Sequence, residues 1–318
     1  MLDAHQLNVF LTAATTLNFT AAARQLHMSQ PSVSQHIREL ENFFDTPLFL
    51  RDGRRVSLTD AGQSLVPMAQ ELIGASIRIE ETMRSLKGEV YGHLVVGCST
   101  TSGKYILPFL LADFLKRYPQ VEATCHVTPR VQSLQMLCDG DVHLALASAS
   151  EFCSDAEFRH LISDPVVLIV PPNHPWAERG QIDPHDLLEG GFIMREEGSG
   201  TRSIVKNGLQ QAGLSFDHLT RQLTLGNSEA IALAVQEGIG VAFVTQSVVD
   251  YLVSGRVVPV KVNGLQMQQD IYIGRSHRHP ATVAQTAFWN FVNDARNPVL
   301  AEFEAACSQK VGEETAVI

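Results

Sequence analysis

The spacing of hydrophobic positions changes twice along the chain, and the changes predict three segments. Up to about residue 58, apolar residues recur at helical spacing and then alternate with polar ones around Asp52-Gly53. A longer helical pattern follows, and beyond it short apolar runs alternate with amphipathic stretches. We predict a mostly α domain over 1–58, a linker helix over 59–88, an α/β domain over 92–300 and a fraying acidic tail over 301–318.

The stretch Thr20–Leu58 has the pattern of two helices joined by a tight turn and followed by a hairpin. His27-Met28-Ser29 form the turn, and Ser29 can cap the second helix. Pro31 falls in the first turn of that helix, where its missing N–H costs nothing. The inward face of this helix is predicted to consist of Val33, Ile37 and Leu40.

Polar side chains remain on the outward face of the second helix, and they are of the kind that reads base edges in a major groove. Arginines cluster in the hairpin, where they would contact phosphates or enter the minor groove. This pattern predicts a winged helix-turn-helix. The predicted DNA-binding residues are Thr20, Gln30, Pro31, Ser32, Ser34, Gln35, Arg38, Arg51, Arg54 and Arg55.

The linker helix carries an apolar seam with alternating spacings of four and three residues, ending near Lys87-Gly88. Such a heptad pattern predicts a coiled-coil dimer, although an amphipathic helix packed on its own domain gives a similar pattern. The seam consists of Leu65, Ala69, Leu72, Ser76, Ile79, Met83 and Leu86, and the predicted dimerisation residues are Leu65, Ala69, Leu72, Ile79 and Met83.

From Leu94 onward, strand and helix patterns alternate, which predicts a mostly parallel sheet with helices on both faces. Two similar runs in series suggest a two-lobed, periplasmic-binding-protein-like effector domain, joined by extended crossings near Asp164–Pro165 and Met267–Asp270. The predicted first lobe comprises about 92–164 and 268–300, and the second about 165–267.

Two turns in these lobes are rich in hydrogen-bond donors, one after the first strand of the first lobe and one before the first helix of the second. Ligands of open α/β sheets bind at the carboxyl ends of strands and at helix N-termini, so these turns predict an anion site. Serine, threonine and asparagine are also ordinary helix caps, which is the alternative for each residue taken singly. The predicted effector-binding residues are Ser99, Thr100, Thr101, Ser102, Thr128, Ser199, Gly200, Thr201, Arg202 and Asn227.

The net charge of −10 argues against a nucleic-acid partner until its distribution is considered. Residues 1–58 hold five arginines and five acidic residues, so the excess negative charge lies in the rest of the chain.

Five cysteines lack a CxxC pair, which indicates a reducing compartment and argues against a disulfide framework. No apolar run reaches membrane-spanning length and the N-terminus lacks a basic cluster, so we expect a cytoplasmic protein.

Catalytic and metal motifs are missing from the sequence: it has no Walker A loop, no HExxH and no nucleophile elbow. We therefore predict no enzyme activity, no cofactor and no metal. Two alternatives stay open. One is a solute-binding or enzymatic α/β protein whose N-terminus serves only in assembly, and the other is a redox sensor that uses Cys98 and Cys125 on neighbouring predicted strands.

The residues Phe19–Ala23, Leu26–Ser34, Pro47–Phe49 and Leu58–Gly62 resemble the LysR-type transcriptional regulators. The resemblance implies promoter DNA, RNA polymerase and a small anionic metabolite as partners, and a homodimer or homotetramer with the metabolite between its lobes. It also implies that the residues meeting DNA are Gln30, Pro31, Ser32, Ser34, Gln35 and Arg38. Asp45 replaces the family's usual glycine or asparagine, yet aspartate tolerates the left-handed conformation. The second lobe lacks the cysteine pair of the peroxide-sensing members.

Overall fold

The computed structural model describes residues 2–52, 55–86, 88–148, 153–278 and 280–303. The chain divides into two compact units, Met1–Glu89 and Val90–Ile318, and each is described by itself. The first unit consists of α1 (Ala4–Thr16), α2 (Phe19–Gln25), α3 (Gln30–Phe44), β1 (Phe49–Asp52), β2 (Arg55–Leu58) and α4 (Asp60–Ser85).

The first three helices enclose a small apolar core. The side chains at its centre are Leu7, Phe10, Ala22, Val33, Ile37 and Leu40, all of which are buried. Ser29 accepts a hydrogen bond from the Ser32 N–H at 3.2 Å, which confirms the predicted cap of α3. Asp45 ends α3 in the left-handed region with φ 49°, so the turn is retained as expected.

The two wing strands pair antiparallel from Phe49 opposite Leu58 to Asp52 opposite Arg55. The predicted turn residue Gly53 and the predicted DNA contact Arg54 lie outside the described residues. The edges of the Phe10 and Phe19 rings contact Phe49, with centroid distances of 5.7 and 5.3 Å. The wing is therefore anchored to the helical core by aromatic packing.

The linker helix α4 begins at Asp60 with Thr59 as its cap and ends at Ser85, while Lys87 lies outside the described residues. Leu65 and Ala69 pack into the core of their own unit, as the alternative interpretation of the seam expected. The later seam residues Leu72, Ile79 and Met83 are exposed by 38%, 64% and 61%. The seam therefore has two parts, of which only the second leaves its apolar side chains uncovered.

The second unit contains eight α-helices and ten strands among its described residues, and 3₁₀ helices at Pro184–Glu189 and Phe216–His218. Its elements are β3 (Gly92–Cys98), α5 (Thr100–Tyr105), α6 (Leu107–Arg117), β4 (Val121–Val127), α7 (Arg130–Asp139), β5 (Leu144–Ala147), β6 (Ala156–Val170), α8 (Pro175–Arg179), β7 (Gln181–Ile182), β8 (Gly191–Arg195), α9 (Gly200–Gln211), β9 (Thr220–Leu225), α10 (Ser228–Gln236), β10 (Ala242–Thr245), α11 (Gln246–Leu252), β11 (Val258–Val262), β12 (Gln268–Ser276) and α12 (Val283–Val292).

The long strand β6 connects two lobes. Its first part pairs antiparallel with β12, which in turn pairs with β5, while β3 lies parallel to β4 and β5. The last part of β6 pairs with β10 and β11. The first lobe has its core around Leu94, Phe114 and Phe288, and the second has cores around Phe192 and Ile231.

Residues 298–303 are helical and Phe303 packs into the first-lobe core, while residues 304–318 lie outside the described residues, so the fraying of the predicted tail stays a prediction.

The cysteine pattern argued against a disulfide framework, whereas the structure joins Cys138 and Cys153 in a disulfide. Cys98 and Cys125 are free and lie on the neighbouring strands β3 and β4, where Cys125 is opposite Val96 and Cys98 is opposite Val127. None of the described helices is both long and apolar enough to cross a membrane.

Candidate functional site

The outward face of α3 is the candidate DNA-binding surface of the first unit. Gln30, Pro31, Gln35 and Arg38 are exposed and Ser32 is half-buried, as predicted for residues that face outward. Gln35 donates a hydrogen bond to Glu39 at 3.0 Å. The helix therefore presents amide, hydroxyl and guanidinium groups in consecutive turns, which is the chemistry that direct base readout uses.

Ser34 was predicted on this face, but it is buried. Its hydroxyl accepts a hydrogen bond from the Gln30 side chain at 2.8 Å, and its carbonyl accepts one from Arg38 Nε at 3.2 Å. Ser34 is covered because its short side chain lies between two longer ones, each one helical turn away. Ser34 is therefore bonded to two exposed residues of this face and is not itself exposed on it.

The remaining predicted DNA contacts lie on α2 and on the wing. Thr20 is exposed at the start of α2, and its N–H donates to Asn18 at 2.9 Å. Arg51 lies over the Phe19 ring with 4.6 Å between its guanidinium carbon and the ring centroid. Arg55 is exposed on β2. No ion pair to Arg38, Arg51 or Arg55 is found within the described ranges, so their charges are not neutralised there.

A cleft of about 400 Å³ opens between the two lobes of the second unit. The first lobe contributes the start of α5, the start of α7 and the end of β5, and the second contributes the end of β8 and the loop into α9. Its lining comprises Ser99, Thr100, Thr101, Pro129, Arg130, Val131, Ser148, Arg195, Glu196, Glu197, Gly198, Ser199, Gly200, Thr201, Gly226 and Gln269.

Six of the ten predicted effector-binding residues line this cleft: Ser99, Thr100, Thr101, Ser199, Gly200 and Thr201. Ser199 caps α9, and Gly198 before it adopts φ 83°, a conformation that favours glycine. A Cβ on Gly200 would lie 2.4 Å from the Ser148 hydroxyl of the other lobe. The glycine therefore permits a close approach of the two lobes at the cleft.

The other four predicted residues do not line the cleft. Ser102 is fully buried and bonds to Ser99 and to the Leu146 carbonyl, and Thr128 has a buried hydroxyl. Arg202 turns away, donating to the Arg195 carbonyl at 2.8 Å and lying over the Phe216 ring. Asn227 caps α10, accepting from the Ala230 N–H at 2.7 Å, so the ordinary capping alternative holds there.

Arg130 is the principal cleft residue that sequence reasoning missed. It begins α7 directly after Thr128-Pro129 at the carboxyl end of β4, which is a position of the same kind as the two predicted turns. Its Nη1 donates to the Ser148 carbonyl at 3.3 Å, and its buried Nε has no hydrogen-bond partner in the described part of the chain. Arg130 therefore keeps donor capacity at the rim of the cleft.

A second arginine in the cleft is already paired. Arg195 donates to both carboxylate oxygens of Glu196, at 2.7 and 2.8 Å, and to the Ser228 hydroxyl at 2.7 Å. Gln269 on β12 accepts from the Thr201 hydroxyl at 2.9 Å, so a crossing strand also contributes to the floor. These bonds fix the second-lobe wall and pair the charge of Arg195, whereas no carboxylate partner of Arg130 is found in the described part of the chain.

Helix N-termini surround the cleft. α5, α7 and α9 all begin at lining residues, and α10 begins two residues after Gly226. Each helix start carries unpaired N–H groups and a partial positive charge. Glu196 and Glu197 also line the cleft, but Glu196 is held by Arg195. The arrangement therefore suits a small anion more than a cation.

Contacts behind the cleft join the lobes directly. Lys104 of α5 pairs with Glu229 of α10, and the Tyr105 hydroxyl donates to the same carboxylate at 2.9 Å. Burial and the bond to Glu229 raise the pKa of Tyr105, so the phenol stays protonated and serves as a donor. Tyr105 packs into the apolar cluster of the second lobe although it belongs to the first.

Comparison with known families agrees with both sites. The family described as "Bacterial regulatory helix-turn-helix protein, lysR family" matches residues 4–63, and the one described as "LysR substrate binding domain" matches residues 87–297. The chain belongs to the LysR family of transcriptional regulators. The predicted winged helix-turn-helix and two-lobed effector domain are thereby confirmed.

Individual LysR-type relatives match most of the chain. A RuBisCO operon transcriptional regulator from Allochromatium vinosum is 34% identical over 289 residues, covering 90% of this chain and 94% of the relative. The regulatory domain of Synechocystis CcmR, solved in complex with 2-PG, is 26% identical with a TM-score of 0.56, and the match covers 63% of this chain and 95% of that one. Full-length CbnR, solved with its target DNA, shares the fold with a TM-score of 0.62 at 19% identity, covering 91% of this chain and 98% of that one.

This LysR-type protein is a DNA-binding regulator and not an enzyme, because the relatives that match nearly its whole length carry the names of transcriptional regulators. Within the described ranges, no group of three or more histidine, cysteine or acidic side chains is arranged to hold a metal ion. The alternative of a solute-binding or enzymatic α/β protein whose N-terminus serves only in assembly is therefore set aside. The second alternative, a redox sensor that uses Cys98 and Cys125, is not tested by these relatives and stays a prediction.

Proposed function

We propose that this LysR-type regulator binds a two-fold promoter site as a homodimer or homotetramer and that a small anionic metabolite in the cleft controls it. The observation that carries the proposal is Arg130, which begins α7 at the rim of the cleft with a buried, unpartnered Nε. Its cation and the helix starts around it favour a carboxylate or phosphate. CcmR, a relative by structure, has been solved with 2-PG, so 2-PG is the first compound to test.

The mechanism we propose is a population shift. An anion that contacts Thr101 of one lobe and Thr201 of the other binds the closed arrangement of the lobes more tightly than an open one. The lobes would then respond only to the extent of that difference in affinity. We infer that this response changes the spacing of the winged helices on promoter DNA in the cytoplasm and the contact with RNA polymerase.

Isothermal titration of the full chain with 2-PG and with a panel of small carboxylates and phosphates tests the anion site. We expect Arg130→Gln to weaken binding about tenfold or more, because one charge-assisted hydrogen bond is lost. Thr101→Val is expected to abolish the effector response while DNA binding persists. Arg221→Gln and Thr224→Val, which change the same residue types outside the cleft lining, should bind as the wild type does.

Three results of these titrations would count against the anion site. Unchanged anion affinity in Arg130→Gln would remove Arg130 from the site, and unchanged affinity in Thr101→Val would remove that residue. A panel in which no anion binds, tested on protein whose fold is verified by circular dichroism, would overturn the anion assignment and leave the family assignment intact.

The DNA surface is tested by fluorescence anisotropy with a promoter duplex at fixed salt. We expect Arg38→Ala to weaken specific binding by about 1–3 kcal/mol without unfolding the protein, because a guanidinium that faces the groove is lost. Lys206→Ala removes one charge from α9 in the other unit and is the matched control. Equal affinities of the two variants would contradict the groove assignment. Light scattering on the same samples distinguishes the dimer from the tetramer.

The exposed part of the linker seam supports the oligomer. Leu72, Ile79 and Met83 repeat at heptad spacing and are all exposed, and such a row of apolar side chains is typical of a coiled-coil partner surface. Leu65 and Ala69 are not part of the proposed surface, since they pack within their own unit. A second copy of this helix supplies a second winged helix for a two-fold site.

A further inference from the structure

Cys138 and Cys153 lie close together outside the cleft lining. Cys138 is in the last turn of α7, Cys153 precedes β6, and their Cα atoms are 6.2 Å apart with the sulfurs bonded. Fifteen residues separate them in sequence. Neither cysteine has a role in the two sites described above, and no cysteine pair is found there.

The pair joins two segments that also meet at the cleft. One segment is α7, which begins at Arg130 and contains Cys138 eight residues later. The other contains β5 and Ser148, and it reaches Cys153 five residues beyond. At the cleft the segments are joined because Arg130 donates to the Ser148 carbonyl at 3.3 Å. The sulfur bond joins the same two segments at a second place, so the two contacts close overlapping loops, 130–148 and 138–153.

The two segments stay near each other without the sulfur bond. Arg278 donates to the Cys138 carbonyl at 3.3 Å, and the His277 N–H donates to the Asp155 carbonyl at 2.7 Å, both from the end of β12. These contacts keep the two thiols of a reduced pair close together. Reoxidation is therefore favoured, because the conformational entropy cost of bringing the thiols together is already met when the chain folds.

The surroundings of the pair differ from those of the free cysteines. Cys138 and Cys153 are both half-buried, with the exposed residues Asp139 and Ser154 beside them, so small reagents can approach. Burial and the neighbouring Cys125 raise the pKa of Cys98 to about 12, which keeps it a poorly reactive thiol. Burial also raises the pKa of Cys125. Cys98 is buried and Cys125 is exposed, so Cys125 is the free thiol that a small reagent can also reach, and it serves as the control below.

We propose that Cys138 and Cys153 form a reversible redox site, oxidised by a hydroperoxide, whose state alters the two cleft segments and thereby the affinity for the anion. One thiolate attacks a peroxide oxygen, giving a sulfenic acid and releasing an alcohol or water. The second thiol then displaces water from that sulfur, so two thiols and one hydroperoxide give one disulfide, one alcohol and one water. A dithiol reductant reverses the step and is itself oxidised to a disulfide.

The redox site is tested on the full chain by mass spectrometry after reduction, treatment with hydrogen peroxide and alkylation. We expect a crosslinked Cys138–Cys153 peptide after peroxide and its loss after dithiothreitol. The crosslink should be lost in Cys138→Ser and Cys153→Ser and kept in Cys125→Ser, which removes an exposed free thiol and is the control. Oxidation confined to other cysteines would overturn the proposal.

The effect on the cleft is tested by hydrogen exchange on wild-type protein in both redox states, which avoids any variant that fails to fold. We expect faster exchange in the reduced state at the start of α7 and in β5, and no change in the α9 peptides of the other lobe. Identical exchange of all these peptides in the two states would refute the coupling.

The proposed effect of the redox state on anion affinity rests on the proposed anion site. Titration with 2-PG and inorganic phosphate in both redox states tests this effect separately from the redox chemistry of the cysteines. We expect affinities that differ about fivefold or more between the redox states, the lower range of measured coupling between sites. Equal affinities would overturn the link to the anion. If neither probe binds in either state, the proposed effector function loses its support, while the crosslink and the exchange data still decide the redox site.

Discussion

Asp164 offers a quantitative test of how the lobes are joined. It lies where β6 passes from the first lobe to the second, and only 3% of it is exposed. Its carboxylate accepts from the Ser247 hydroxyl at 2.5 Å and from the Ser247 N–H at 3.2 Å, in the first turn of α11. Burial raises its pKa from 3.8 to about 6, against the opposing effect of these hydrogen bonds.

The sign of the effect on stability follows from the proton count. Between pH 3.8 and about 6 the folded state keeps a proton on Asp164 that the unfolded state has released. The free energy of unfolding therefore falls as the pH rises through this window. A difference of roughly two pKa units, at 1.36 kcal/mol each, corresponds to about 3 kcal/mol lost between the two limits.

Asp164→Asn removes the charge and keeps the shape. The amide oxygen can accept from the Ser247 N–H and the amide nitrogen can donate to the Ser247 hydroxyl, so both hydrogen bonds are retained. We expect the variant to be more stable than the wild type above pH 7 by about 1–3 kcal/mol and to lose the decline between pH 4 and 6.

Urea unfolding followed by tryptophan fluorescence measures this effect in the second unit. The chain has two tryptophans, Trp176 and Trp289, and they belong to the cores of the second and first lobe. Asp217→Asn, at an exposed position of the second lobe, is the control for a general change of charge. The reasoning is refuted if Asp164→Asn keeps the wild-type pH slope, or if it is the less stable protein at pH 7.5.

Two glycines give further predictions from close contacts. Gly62→Ala would place a Cβ 2.2 Å from the Leu48 carbonyl oxygen, so we expect thermal unfolding of the DNA-binding unit to begin earlier, with a loss of about 1–3 kcal/mol; an unchanged melting curve would contradict this. Gly200→Ala would place a Cβ 2.4 Å from the Ser148 hydroxyl, so we expect weaker anion binding in titration with little change in stability. Gly213→Ala is the control: a Cβ there meets open space, but the φ of 78° is unfavourable for alanine, so this variant should lose stability without losing anion affinity.

The helix-turn-helix was predictable because its signals are local. The Ser29 cap, Pro31 in the first turn and the spacing of Val33, Ile37 and Leu40 all act within one or two helical turns, and the structure agrees with each. Ser34 was placed wrongly since its exposure depends on which neighbours are long enough to cover it. The heptad seam of α4 was ambiguous for a related reason, because the same spacing serves packing within a unit and between units.

The cleft was only partly predictable. Strand ends located its two donor-rich turns, but adjacent residues on a helix point about 100° apart. Thr201 therefore reaches Gln269 while Arg202 lies over Phe216 outside the cleft. Arg130 was missed because its importance depends on the approach of Ser148 from another segment. No spacing rule in the sequence brings such segments together, and the same holds for the two cysteines.

The position of the interlobe contacts links the proposed anion binding to the proposed lobe movement. On α5, Thr101 lines the cleft and Tyr105, one turn later, donates to Glu229 of the second lobe. On α10, Glu229 follows three residues after the lining residue Gly226. In the mechanism proposed above, an anion that drew α5 and α10 together would also strengthen the Tyr105–Glu229 bond, whereas a separation of the lobes would break it. The Tyr105 bond would then favour the closed state before a ligand binds, and the effector would need to supply only the remaining free-energy difference between the two states.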